Sequence, residues 1–201
     1  MESMTIRSKS YKHILIGGGG HAASVLSIVK LLGIRVEGYI ALTESNLSSE
    51  ILYLGSNEIL EYGPENTFKH IISFNFFNKK TQLNYKNFVR NYSQFLESCD
   101  PIIHPSAVID HNVSIGKGTV VGAGAVIRNG TNIGNHCLIN SSATIDHDCQ
   151  VGDYSHVAPG AVLCGYTRLG CYSLVGAGAT VLNSARVMPD GIVKAGSVYL
   201  P

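Results

Sequence analysis

The chain has no tryptophan, only six prolines, and few charged residues, which make up 14% of its 201 positions. Its 15 lysines and arginines nearly balance its 14 aspartates and glutamates, and they form no basic run. Nucleic acids and anionic membrane surfaces are therefore poor candidate partners. No apolar run approaches the roughly 18 residues of a spanning helix, and Met1–Lys12 is polar with no signal-peptide core. We expect a soluble, cytoplasmic protein.

What the sequence does contain is a repeat of six residues in its second half. An aliphatic residue recurs at every sixth position from Ile103 to Val193, and a small residue such as Ala107 or Thr119 usually follows four positions later. This period fits neither an amphipathic helix nor an alternating strand. It fits a parallel β-helix in which each hexad forms one short strand and one corner, and three hexads close a triangular coil. The sixteen hexads predict about five coils, with residues 18 apart stacked at about 4.8 Å.

Glycine and cysteine usage agrees with this prediction. Residues 101–201 contain 14 of the 22 glycines, as expected of tight corners. The five cysteines form no C-x-x-C pair, and Cys137 and Cys149 fall on the small positions of the repeat. We expect reduced thiols that act as apolar fillers. Three further histidines, His104, His111 and His136, lack the close pair, five residues apart, that a zinc hydratase of this architecture uses, so no metal site is predicted.

Residues 1–100 have a different pattern, and the boundary falls near Asp100-Pro101. Buried-strand and helical patterns alternate here, which is typical of a small parallel α/β domain of Rossmann type. The sequence therefore predicts a Rossmann-like domain at 1–100 and a β-helix domain at 101–201. The predicted strands lie at 13–16, 36–40, 53–54 and 69–74, and the predicted helices at 22–32, from 56 onward and within 78–96.

A run of four glycines, Gly17 to Gly20, joins the first predicted strand to the first predicted helix. Free N–H groups and the helix dipole make such a junction an anion site. The run nominally satisfies G-x-G-x-x-A, but no acidic residue ends the second strand, where a dinucleotide site needs one. A dehydrogenase-type NAD site is therefore disfavoured. A phosphate-bearing ligand is favoured, and a purely structural turn is the alternative.

The order of motifs resembles one family of enzymes. The chain carries I-G-G-G-G-H, then I-H-P-S-A, and then N-S-S-A-T-I-D-H-D-C-Q-V-G-D-Y-S-H-V-A-P-G-A. Over roughly residues 12–197 it resembles nucleotide-sugar acetyltransferases related to sialic acid O-acetyltransferases. The resemblance implies a left-handed β-helix, acetyl-CoA as donor, and a UDP-, dTDP- or GDP-linked 4-amino-4,6-dideoxy sugar, used for surface glycans, as acceptor. The chain differs at Ala41-Leu42, where many members carry an acidic pair, and at 198–201, where a longer tail usually covers coenzyme A.

The resemblance also implies roles for individual residues. His147 corresponds to the general base, Asp148 to the acidic residue that follows it, and Gly165 to the glycine whose N–H faces the thioester oxygen. Expected contacts on the cofactor side are His156, Gly165, Ala177 and Ala195. Expected contacts on the substrate side are Gly18, Gly19, Gly20, His21, Asn75 and Asn140, with His21 beside the nucleotide and Asn140 near the sugar amine.

The chemistry of these residue types supports such roles. An unperturbed histidine pKa near 6.5 suits a general base, and a neighbouring carboxylate such as Asp148 fixes its tautomer. Gly165 follows His147 by 18 residues, so its N–H is expected one coil above the base, aimed at a developing oxyanion. His156 follows His147 by half a coil, so the two side chains must lie on roughly opposite faces of one chain. They share a site only across a subunit boundary, which predicts a homotrimer with three shared sites.

The leading hypothesis from the sequence is therefore an acetyl-CoA-dependent N-acetyltransferase of a nucleotide-linked amino sugar. O-acetylation of a sugar or of sialic acid uses the same base against a hydroxyl and stays open as an alternative. A β-helix that only binds or acts as a scaffold is the non-enzymatic alternative.

Overall fold

The computed structural model describes residues 12–62, 68–93 and 99–201. The predictions for the polar amino terminus up to residue 11, and for the end of the helix within 78–96, lie outside the described residues. No helix in these ranges is long and apolar enough to cross a membrane.

The amino-terminal part is a four-stranded parallel sheet with the strand order β3-β2-β1-β4. The central position of β1 explains its buried run, in which Leu15 and Ile16 are inaccessible to solvent. All four predicted strands are present within two residues of the expected bounds. They are β1 Lys12–Ile16, β2 Val36–Ile40, β3 Leu52–Gly55 and β4 Phe68–Ile72.

Three α-helices flank this sheet, and local capping sets the ends of two of them. α1 ends where Gly33 adopts a left-handed φ of 67°, a conformation that glycine adopts without strain. α3 begins after Asn78, which forms a reciprocal capping box with Thr81. A 3₁₀ turn at Asn46–Ser49 was not predicted. The helices are α1 Gly20–Leu31, α2 Ile59–Tyr62 and α3 Lys79–Tyr92.

The carboxyl-terminal part is a parallel β-helix that fits the left-handed hexapeptide type. Each strand has two residues, the first pointing outward and the second, the aliphatic residue of the repeat, pointing into the core. The series predicted to end at Val193 continues for one more strand, in which Tyr199 packs against the core. The seventeen strands are β5 Ile102–Ile103, β6 Val108–Ile109, β7 Ser114–Ile115, β8 Val120–Val121, β9 Val126–Ile127, β10 Asn132–Ile133, β11 Leu138–Ile139, β12 Thr144–Ile145, β13 Gln150–Val151, β14 His156–Val157, β15 Val162–Leu163, β16 Arg168–Leu169, β17 Leu174–Val175, β18 Thr180–Val181, β19 Arg186–Val187, β20 Ile192–Val193 and β21 Val198–Tyr199.

Strands 18 residues apart pair in register and form the three faces of the prism. The docking face contains β5, β8, β11, β14, β17 and β20; the valine face contains β6, β9, β12, β15, β18 and β21; and the polar face contains β7, β10, β13, β16 and β19. The prediction of an 18-residue coil is confirmed.

The corners repeat a left-handed backbone conformation at every sixth residue from Asn112 to Gly196. Glycine is less general at these corners than expected. Of the fifteen left-handed corner residues, six are glycine and nine are not. The non-glycine residues are Asn112, His136, Ser142, Asp148, Tyr154, Tyr166, Tyr172, Ser184 and Asp190. Hydrogen bonds from each corner to the previous coil, such as Asp148 N–H to the Asn129 carbonyl oxygen at 3.0 Å, hold this conformation.

The amino-terminal part covers the docking face. The outward residues Ile102, Val120 and Leu138 share one hydrophobic cluster with the buried side of α1. Along the adjoining corner, the buried Gln82 of α3 donates from Nε2 to the Tyr172 carbonyl oxygen at 2.7 Å. This packing leaves the valine face and the polar face accessible.

Candidate active site

His147 lies on the corner between the valine face and the polar face, between β12 and β13. Its Nδ1 lies 2.9 Å from Asp148 Oδ2, and its backbone N–H donates to Asp146 Oδ1 at 2.8 Å. Because an ionised carboxylate only accepts hydrogen bonds, Nδ1 carries the proton and Nε2 presents a lone pair. The side chain is 46% exposed, so this lone pair is accessible to a substrate. The arrangement suits a general base.

Gly165 lies one coil further along the same corner, as the 18-residue spacing predicts. A Cβ atom at this position would lie 2.9 Å from both Cε1 and Nε2 of His147, so the absence of a side chain makes room for the imidazole. Within the described residues, the Gly165 N–H has no hydrogen-bond acceptor. It is available to a ligand oxygen beside His147.

The carboxylate of Asp148 also depends on a glycine, one coil before it. Gly130 has a left-handed φ of 75°, and a Cβ atom there would overlap Asp148 Oδ1. Two glycines in successive coils therefore leave the space that the His147–Asp148 pair occupies.

Tyr166 is a member of this site that the sequence reasoning missed. Its ring stands perpendicular to that of His147, at 90°, with the ring centroids 5.1 Å apart. Its backbone N–H donates to the His147 carbonyl oxygen at 3.1 Å. The usable signal was the stacking interval itself, because Tyr166 follows Asp148 by 18 residues.

The glycine loop has a packed half and an open half. Gly17 donates its N–H to the Ile40 carbonyl oxygen at 2.7 Å, and a Cβ on Gly18 would meet Ser45 Oγ at 3.0 Å. By contrast, a Cβ on Gly19 or Gly20 would meet nothing within 4 Å. The packed half is therefore a structural turn. The open half faces free space at the amino end of α1, where Gly19 is an N-cap without a side-chain hydrogen bond.

The end of β2, where the acidic pair is absent, is filled by neutral groups. The Tyr39 hydroxyl accepts a hydrogen bond from the Ser45 N–H at 2.9 Å, and Leu42 is exposed. Asn75 follows β4, which pairs in parallel with β1, so it lies at the same sheet edge as the glycine loop. Its Oδ1 accepts from the Phe76 N–H at 2.8 Å.

His156 is the one ionisable side chain on the otherwise apolar docking face, and it is only 8% exposed. Its Nδ1 donates to the Phe76 carbonyl oxygen at 3.0 Å. Burial lowers the pKa of His156 to about 4, a hydrogen bond to Phe76 opposes this, and the charge of His21 adds to the lowering. Burial also lowers the pKa of His21. His156 therefore belongs with His21 and the amino-terminal part, and not with His147 of the same chain.

The predicted residues thus fall into three places in one chain. His147, Asp148 and Gly165 meet on one edge of the valine face. Asn140, Ala177 and Ala195 lie on corners at its other edge, where the docking face begins, and His156 with the glycine loop lies beyond them. An open concavity on the polar face, between Arg168 and Pro189, contains none of these residues. Within the described ranges, no three His, Cys, Asp or Glu side chains are placed to hold one metal ion.

Comparison with known families matches residues 98–129 and 130–165 to the bacterial transferase hexapeptide family, described by six repeats. The carboxyl-terminal part is a hexapeptide-repeat transferase domain. No curated protein sequence matches the chain significantly.

Solved structures resemble this hexapeptide-repeat transferase over almost its whole length. The acetyltransferase domain of PglB from Neisseria gonorrhoeae is 28% identical with a TM-score of 0.81, over 94% of this chain and 93% of that chain. PerB from Caulobacter crescentus, in complex with CoA and GDP-perosamine, is 28% identical with a TM-score of 0.79, over 93% and 87%. WeeI from Acinetobacter baumannii, at 18% identity and a TM-score of 0.71 over 94% and 95%, shares the fold.

Proposed function

We propose that the protein transfers the acetyl group of acetyl-CoA to the 4-amino group of a nucleotide-linked 4-amino-4,6-dideoxy sugar. The observation that carries the proposal is the His147–Asp148 pair, whose free Nε2 lies beside Gly165. Support comes from PerB, which is 28% identical and binds CoA and GDP-perosamine, and from the PglB domain in complex with acetyl coenzyme A, at 26% identity.

The geometry suggests how the reaction proceeds. The amine nitrogen attacks the thioester carbon, and His147 Nε2 accepts the proton that the nitrogen loses. The Gly165 N–H donates to the carbonyl oxygen as it becomes an oxyanion. Collapse breaks the C–S bond, and the imidazolium returns the proton to the departing thiolate. Asp148 stabilises the imidazolium between these steps.

A Rossmann-type amino-terminal domain holds the nucleotide in this proposal. The open N–H groups of Gly19 and Gly20 face the diphosphate, and the α1 dipole favours its charge. His21 and Asn75 border the same space.

We also propose that the active unit is a homotrimer with three shared sites. The outward residues of the valine face are uncharged, and those at its two ends, Val108 and Val198, are 53% and 62% exposed. Packing this face against a neighbouring subunit would bury the apolar surface. It would also bring the His147 edge of one subunit near the Asn140 edge and the His156 region of the next, which completes a site that one chain leaves divided.

The direct test is acetyl-CoA turnover, measured as released thiol, with a panel of UDP-, dTDP- and GDP-linked 4-amino-4,6-dideoxy sugars. His147→Asn is the matched control for non-enzymatic release. Mass and NMR analysis of the product distinguishes an amide from an ester, and so N- from O-acetylation. Absence of turnover on every sugar, with a calorimetric titration that shows no coenzyme A binding, would favour a scaffold protein instead.

A further inference from the structure

Tyr166 occupies a backbone position that suits small residues. On the corner between the valine and polar faces, the other four left-handed positions hold asparagine, glycine, aspartate and serine, and Tyr166 has a φ of 62°. Left-handed backbone is unfavourable for a bulky side chain and is tolerated best by glycine, asparagine and aspartate. A residue of this kind is retained where the surrounding structure or the function requires it.

Two other tyrosines in this conformation have a packing role that Tyr166 lacks. Tyr154 and Tyr172 stack on each other with centroids 4.8 Å apart, and they pack against α3. Lys86 lies over the Tyr172 ring at 4.9 Å. The Tyr166 side chain, in contrast, is 57% exposed. Burial therefore does not explain why an aromatic ring stands at this corner.

The aromatic contact of Tyr166 is with the imidazole of His147. Asp148 holds Nδ1, and Gly165 leaves space next to Nε2, but neither prevents a half-exposed ring from rotating about its Cβ–Cγ bond. The perpendicular Tyr166 ring, at 5.1 Å, restricts that rotation. Its hydroxyl has no hydrogen-bond partner among the described residues, so the contact involves the ring and not the phenol oxygen.

We propose that Tyr166 is a positioning residue for the base, which keeps the imidazole oriented with Nδ1 on Asp148 and Nε2 toward the reacting amine. This inference rests on the proposed function of His147. It assigns Tyr166 no proton transfer, so phenylalanine should replace it.

The experiment compares Tyr166→Phe, Tyr166→Asn and Tyr172→Asn with the unmodified chain. Asparagine tolerates the left-handed backbone, so Tyr166→Asn removes the ring without adding strain. Tyr172→Asn is the matched control, because it makes the same change in the same conformation at a corner away from His147. Long-range ¹H–¹⁵N NMR reports the imidazole tautomer of His147, whose signals are assigned by their loss in His147→Gln.

We expect the Nδ1–H tautomer to dominate in the unmodified chain, Tyr166→Phe and Tyr172→Asn, and to become mixed in Tyr166→Asn. We expect kcat of Tyr166→Asn to fall about 10- to 100-fold, with KM changed less than about twofold, as for a misplaced catalytic group. An unchanged tautomer with a raised KM would show that Tyr166 contacts a ligand, and equal losses in Tyr166→Phe would show that the hydroxyl acts; either result overturns the proposal. If the unmodified chain transfers no acetyl group, the proposed function fails, while the tautomer comparison still tests the positioning role.

Discussion

His147 takes its properties from residues one coil away as much as from its own corner. Gly165 leaves space for its ring, Tyr166 borders that ring, and Gly130 leaves space for the carboxylate that binds it. A base assembled in this way is sensitive to changes at positions that carry no reactive group.

Replacing the base and its partner should have unequal effects. His147→Asn removes the proton acceptor and should lower kcat by about 10²–10⁴, the usual effect of losing a general base. Asp148→Asn should cost less, because it removes orientation and charge support but leaves the acceptor. Steady-state thiol release gives both values, and circular dichroism confirms that the variants fold. A loss at Asp148 as large as that at His147 would mean that the base is misassigned.

Gly130→Ala tests the space beneath Asp148. The added methyl group would displace the carboxylate, so we expect lower kcat together with a loss of stability of about 1–2 kcal/mol from the left-handed backbone. Gly33→Ala is the control, because Gly33 has a similar φ of 67° and open space around it. Urea unfolding and turnover should show comparable destabilisation in both variants and reduced turnover only in Gly130→Ala. Equal turnover in the two would contradict the role of Gly130.

The sequence predicted His147, Asp148 and Gly165 as one group because an 18-residue coil converts spacing into contact. The structure brings the three together, although their catalytic roles stay predictions. Gly130 and Tyr166 obey the same spacing but carry no motif, and side-chain direction at a corner decides whether stacked residues touch. That direction depends on φ, which the sequence does not reveal when nine of fifteen left-handed corners are not glycine.

At the scale of elements, β14 joins the two parts of the molecule through its outward residue. His156 binds the carbonyl group that follows β4, beside the buried ring of Phe76. A neutral imidazole is required there, because no carboxylate partner accompanies it in the described structure.

Acidification should therefore weaken the fold through His156. Its pKa is about 4 when folded and near 6.5 when unfolded, so between these pH values the unfolded chain binds a proton that the folded chain does not. The free energy of unfolding should decrease as pH falls from about 6.5 to about 4, by about 3 kcal/mol in all. His156→Gln keeps an amide donor but cannot titrate. Urea unfolding across this range, at one protein concentration, should show a smaller pH dependence in the variant, and parallel curves would refute the assignment.

Element bounds were predictable where local chemistry fixes them. The capping box at Asn78 and the left-handed Gly33 mark helix ends that a sequence signals. α1 begins at Gly20, two residues before the predicted Ala22, because glycine residues there adopt helical geometry despite their weak propensity. The 3₁₀ turn at Asn46–Ser49 depends on the Tyr39 hydroxyl across the fold, which no local pattern indicates.

For the whole molecule, the sequence predicted a prism but not which side the other part of the chain would cover. Inward positions are specified by the six-residue period. Outward positions are apolar on two faces, with Val120 and Leu138 on the docking face and Val126 and Val162 on the valine face. Only tertiary packing distinguishes them. The domain boundary near Asp100 and the cytoplasmic location also stay predictions.

Mixed assembly tests the shared site. A chain with His147→Asn and a chain with His156→Gln should each have low activity, and co-refolded mixtures should recover about a quarter of normal turnover, since random assembly pairs that fraction of boundaries correctly. Each variant refolded alone is the control. Light scattering should report a trimer, and Val162→Glu should dissociate it by burying a charge in the valine face. A monomer with full activity would exclude a site between subunits.

The pairing interval of the strands sets different rules for a change in length than for a change in sequence. A hexad inserted before β12 would keep every aliphatic side chain in the core, yet it would turn all later residues by one third of a circle. The base would then leave its edge and point toward another face, in a molecule as well packed as before. Only gains or losses of eighteen residues return each side chain to its own face. Relatives of different length that keep this chemistry should therefore differ within the coil by whole turns, or by loops that project from its corners.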